Sequence, residues 1–264
     1  SVFLPVNDLN IAGMTMSVYN LISQYVLIIG SIVALVFLAV AGNEKRAAAG
    51  LTRQNWKSAV LIVLAFVGIY IVRTVVSVAV QGVSDGSGMQ YVKEWAAMFK
   101  DPMMWLNIVA LPINYFFVFI AFFGEEYGWR YYLQPVLQKR FGLRAGVIML
   151  GVVWGLWHIP DDLFYYTQTS GIQMIFAQQI TCISLGIFFA YAYMKTQNIW
   201  VPVCLHYLNN NLIPIISGTF SADVLENQTV SWKDLPVALV LNGLCFGFFL
   251  LADVFKKKEI QKED

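Results

Sequence analysis

Apolar residues along this chain gather into blocks of about twenty, the length a helix needs to cross a bilayer, separated by short polar stretches. Seven blocks approach that length: Ser17 to Ala41, Ser58 to Val80, Met104 to Phe123 with a polar continuation toward Arg140, Ala145 to His158, Ile172 to Met194, Trp200 to Ser217, and Pro236 to Phe255. The fourth is short and the sixth carries polar residues, so the pattern predicts six to eight spans. Tyr91 to Lys100 sets Trp95 and Phe99 among charges, the pattern of a short interfacial helix. No internal repeat or linker-like stretch interrupts the chain. The expectation is an all-α, polytopic transmembrane helix bundle, a single domain over residues 1–264.

Composition sharpens this reading. Of 264 residues, 58% are hydrophobic and 12% charged, against about 25% charged in soluble domains. The formal net charge is +1, and the basic residues sit at block ends in place of a continuous stripe, so nucleic-acid binding is not expected. Cys182, Cys204 and Cys245 each lie in an apolar run, which argues for reduced packing residues over a disulfide framework. A basic n-region is missing and Asp8 precedes the first long run, so a cleavable signal peptide is not expected.

Loop charges orient the spans by the positive-inside rule. Lys45, Arg46, Arg53 and Lys57 follow the first block; Lys139, Arg140 and Arg144 separate the third and fourth; Lys195 follows the fifth; Lys256, Lys257 and Lys258 follow the seventh. The alternate loops hold Asp85, Glu94, Asp101, Asp161, Asp162, Asp223, Glu226 and Asp234. Seven spans with the N-terminus outside and the C-terminus cytoplasmic fit this alternation.

Against that apolar background, Glu125 and Glu126 stand side by side in Phe122-Phe123-Gly124-Glu125-Glu126-Tyr127-Gly128-Trp129-Arg130. Ionised carboxylates at membrane depth are costly and mark functional sites by default. Glu126 and Arg130 are i, i+4 neighbours, whereas Glu125 is rotated by about 100°. One carboxylate can be neutralised while the other stays available. A plainer alternative is a helix-end pair at the interface, neutralised by Arg130.

The chain has two histidines, His158 and His206, both inside apolar blocks. His206 shares a helix face with Asn210, so both can donate to one point; interhelical hydrogen-bonding is the structural alternative. Trp154 lies one turn before His158, where it can wall the site or hold the imidazole, and His158 can also simply cap its helix beside Pro160. Glu125 lies 15 residues before Arg140 and His158 lies 14 after Arg144. If Phe141-Gly142 is the turn of a helical hairpin, both sit roughly 21 to 22 Å from it and meet at one depth. A single helix from Met104 to Arg140 would measure about 54 Å, so Pro112, Gly124 or Gly128 is expected to kink it, or its last turns to leave the membrane. Arg73, near the end of the second block, is expected to snorkel to the interface, with a role at a substrate carboxylate as the minor alternative.

These residues resemble the CAAX protease and bacteriocin-processing (Abi) family of intramembrane glutamic proteases. Its signatures, Glu-Glu-x-x-x-Arg, Phe-x-x-x-His and His-x-x-x-Asn on successive helices, are similar to Glu125 to Arg130, Trp154 to His158, and His206 to Asn210. The resemblance covers roughly Phe119 to Ile213, and Trp154 replaces the family's Phe. It implies peptide-bond hydrolysis within the membrane, with catalytic residues on three core helices. Glu125 would be the general base and His158 would help hold or activate the water. His206 and Asn210 would donate to the oxyanion, while Glu126, Arg130 and Trp154 would support them.

No cofactor is expected. A zinc site at Glu125, His158 and His206 is the enzymatic alternative, although no His-Glu-x-x-His run exists. A non-catalytic scaffold or immunity protein, binding a membrane or secreted protein partner, is the other. The expected surroundings are membrane lipid in a prokaryotic plasma membrane, with a peptide or lipidated protein as substrate.

Overall fold

A computed structural model describes residues 50–256 apart from 52, 85, 87, 88 and 219–226, together with 9–11, 14–16 and most of 28–41. Most of the first apolar block, with Lys45, Arg46, Asp85, Asp223, Glu226, Lys257 and Lys258, lies outside the described residues. The described residues between 28 and 40 are helical, and the Ser31 hydroxyl donates to the Ile120 carbonyl.

The helices are α1 (Trp56–Ser84), α2 (Met89–Met98), α3 (Pro102–Glu126), α4 (Gln134–Phe141), α5 (Leu143–Trp157), α6 (Ile159–Phe164), α7 (Gly171–Thr196), α8 (Trp200–Ser217) and α9 (Asp234–Cys245). Leu9–Ile11 and Met14–Met16 form a short antiparallel hairpin, β1 and β2, which apolar periodicity did not predict. The all-α membrane bundle is otherwise as expected.

Among the described residues, four helical stretches are long and apolar enough to cross a membrane: Trp56–Val80, Pro102–Phe141, Leu143–Phe164 and Gly171–Thr196. The sixth block is the helix α8, whose Asn209, Asn210 and Asn211 dilute its apolar character. The seventh is helical to Cys245 and then tightens into 3-10 turns over Gly247–Leu251 and Asp253–Phe255.

The third block does not break at Pro112. Pro102–Phe141 runs as one helical stretch of 40 residues, whose geometry widens to a π-helix over Tyr127–Leu133 between α3 and α4. Such widened turns recur at functional sites, and this one carries Arg130. Gly142, at φ 89°, then reverses the chain into α5. A Cβ on Gly146 would lie 2.5 Å from the Gln138 backbone nitrogen, so this glycine lets the two arms of the hairpin touch.

The core lies where α7 is wrapped by α1, α5, α8 and α9. Phe66, Tyr70, Phe188, Phe189 and Phe246 pack ring on ring there, with Phe66 centred 5.5 Å from Phe188 and 5.8 Å from Phe246. Half-buried Arg73 has a partner within the bundle. Its Nε donates to Asn242 Oδ1 at 2.9 Å, tying α1 to α9, and its guanidinium lies 5.7 Å over the Tyr70 ring.

Candidate active site

The hairpin fixes the site's depth. Arg130 and Trp154 stand twelve residues either side of Gly142, and the guanidinium lies 5.0 Å over the indole. A second ring face, Phe189 on α7, lies 5.4 Å from the same cation. Arg130 and Glu126 are both fully buried, with Arg130 Nε 3.0 Å from Glu126 Oε2. The other carboxylate oxygen, Oε1, accepts from His206 Nδ1 at 2.9 Å. Glu126 therefore bridges α3 to α8 as well as neutralising the arginine. The histidine ring is held by Phe122 and Trp154, both edge to face at 5.2 Å and 5.4 Å.

His158 ends α5. Its Nδ1 donates to the Trp154 carbonyl at 2.8 Å, so the ring both caps the helix and is fixed in one tautomer. A carbonyl can only accept, which places the proton on Nδ1 and leaves the Nε2 lone pair of the neutral ring open. Trp154 thus holds the imidazole through its backbone while its indole covers Arg130.

His158, His206 and Asn210 all line one cavity of about 200 Å³. Its wall also includes Asn209 from α8, Gln178, Thr181 and Cys182 from α7, and Tyr166 from the loop after α6. Glu125 is half-buried and is not among the lining residues; it lies within electrostatic reach of His206, Arg130 and Cys182. Among the described residues, no three His, Cys, Asp or Glu side chains converge as a metal-binding group.

Several lining residues escaped sequence reasoning. Cys182 packs in the core as expected and in addition lines the cavity, its sulfur 3.8 Å from His158 Nδ1. Gln178 and Thr181 were not singled out in the sequence; the one-turn spacing of Gln178 with Cys182 was the signal available. Cys204 and Cys245 are partly buried free thiols.

Residues 105–212 match the Rce1-like family, described as type II CAAX prenyl endopeptidases. That stretch contains all three motifs, so the resemblance read from them is borne out over it. CAAX prenyl protease 2 of Methanococcus maripaludis is 27% identical over 125 residues, covering 44% of this chain and 45% of that protein. The chain thus spans about half the length of the curated relative it matches. No solved structure matches the chain.

Proposed function

We propose that this chain is a multi-pass intramembrane endopeptidase that hydrolyses peptide bonds of a membrane-associated peptide or protein with a glutamate-activated water and no metal. The observation that carries this reading is the convergence of His158, His206 and Asn210 on one cavity, with Glu126 and Arg130 sealed behind it. Catalysis needs a base to take a proton from water and donors aimed where the oxyanion develops.

Glu125 is the base. It is half-buried, whereas Glu126 is enclosed and already engaged on both oxygens. The open Nε2 of His158 accepts a hydrogen bond from the same water and directs its lone pair at the carbonyl. Asn210 donates to the oxyanion from its amide. His206 spends its Nδ1 proton on Glu126, so Nε2 is the ring nitrogen left to face the oxyanion. The proton taken by Glu125 leaves on the amine of the cleaved bond.

The family match supports CAAX-type processing of a lipidated protein as the substrate class; maturation of a peptide or bacteriocin self-immunity uses the same bond chemistry. The test is peptidase activity of the purified protein in lipid nanodiscs, against peptides and lipidated peptides, beside Glu125→Ala and with a metal chelator. Cleavage that survives chelation and disappears in Glu125→Ala is expected. Loss on chelation would point to zinc, and binding without cleavage to a scaffold or immunity protein.

A further inference from the structure

We propose that Tyr70, outside all three motifs, is a positioning residue that orients the Asn210 amide through Asn209; this rests on the peptidase reading above. The Tyr70 hydroxyl on α1 donates to Asn209 Oδ1 on α8. Asn209 Nδ2 in turn donates to Asn210 Oδ1 at 2.8 Å. Asn209 and Asn210 both line the cavity.

A carboxamide has a donor end and an acceptor end of nearly the same shape, and an oxyanion discriminates absolutely between them. Asn210 is exposed to the cavity mouth, so its own surroundings do not choose which end faces the substrate. The relay makes that choice. A buried phenol seeks an acceptor for its proton, which turns Asn209 Oδ1 toward Tyr70 and Asn209 Nδ2 toward Asn210. With its oxygen taken, Asn210 is left with its NH2 group for the oxyanion.

The phenol is well placed to set the direction. Tyr70 is 4% exposed and its ring is packed between Phe66 at 4.9 Å and Phe246 at 5.0 Å. The Arg73 guanidinium over that ring is itself fixed to Asn242 on α9. Three helices therefore determine where one hydroxyl points.

The test measures steady-state cleavage in nanodiscs over a range of substrate concentrations, with long incubations so that large losses stay readable. Tyr70→Phe keeps the ring and removes the hydroxyl. The expected result is a loss in kcat of about tenfold, less than the 10² to 10³ for deleting an oxyanion donor outright, with KM unchanged. Asn209→Asp still accepts from Tyr70 but has no proton for Asn210, and should lose a similar factor. In an Asn210→Ala background, Tyr70→Phe should cost nothing further, because its effect passes through the missing amide.

An unchanged kcat in Tyr70→Phe, a change confined to KM, or an equal loss in the Asn210→Ala background would each overturn the proposal while leaving the peptidase reading intact. A wild-type protein that cleaves nothing overturns the peptidase reading and this proposal with it.

Discussion

Arg130 has no exposure at all, and a cation so placed depends on its counter-charge more than any exposed pair does. Removing one member of a buried pair typically costs about 3 to 5 kcal/mol, because the survivor is left charged and unsolvated. Glu126→Ala should therefore lower the thermal unfolding midpoint in detergent sharply, whereas Glu125→Ala and His158→Ala should abolish cleavage and leave that midpoint nearly unchanged. Equal melting losses in all three would show that the two carboxylates share one structural task. The i, i+4 relation of Glu126 to Arg130 was legible in the sequence, since helical geometry alone sets it. The bond from Glu126 to His206 spans 80 positions and leaves no local trace, so the sequence offered both residues as candidates without the contact that ties Glu126 to α8.

The hairpin of α4 and α5 shows what an element can reveal before it is seen folded. Fifteen residues on one side of its turn and fourteen on the other placed Glu125 and His158 at one depth, and the contact of Arg130 with Trp154 across Gly142 bears the same register. The π-helical stretch was not legible, because a widened turn is a response to packing and leaves the hydrophobic pattern of an ordinary helix. Close backbone approach in the hairpin makes two glycines unequal. A Cβ at Gly146 meets Gln138 backbone atoms at 2.5 and 2.6 Å, which cannot yield without parting the helices. At Gly155 it meets the side-chain amide of Gln179 at 2.6 Å, and that amide can swing away at the cost of its bond to the Gly151 carbonyl. Gly146→Ala should destabilise by about 1 to 3 kcal/mol, as overpacking does, and reduce cleavage by moving His158; Gly155→Ala should cost visibly less. Thermal melts of the two variants side by side check the order, and the reverse order would mean that the hairpin arms are not in contact as described.

Across the whole molecule, charge is sorted between the two ends of the bundle. Asn55 Nδ2 bonds the Thr196 carbonyl at 3.0 Å, Asn198 Nδ2 bonds the Gln54 carbonyl at 3.1 Å, and Leu143 packs with Phe255. These contacts gather Arg53, Lys57, Lys139, Arg140, Arg144, Lys195 and Lys256 at one end, with Asp253 paired to Lys256. At the other end Trp95 Nε1 bonds the Ile216 carbonyl and Val230 bonds Ser170, which brings together Glu94, Asp101, Asp161, Asp162 and Asp234 beside Lys93, Lys100 and Lys233. Positive charge near span ends is retained on the cytoplasmic side, so the Gly142 turn should face the cytoplasm and the α2–α3 junction the outside. The 40-residue stretch from Pro102 to Phe141 measures about 60 Å against a hydrocarbon core of about 30 Å. Its final turns, with Lys139 and Arg140, must then stand clear of the lipid tails, where a reagent can reach them. With the native cysteines replaced, a membrane-impermeant maleimide added to intact cells should label Asp101→Cys and spare Lys139→Cys until the membrane is opened. Labelling of Lys139→Cys in intact cells would invert the chain. The cavity would keep its chemistry, but the proposed enzyme would draw its substrate from the opposite face.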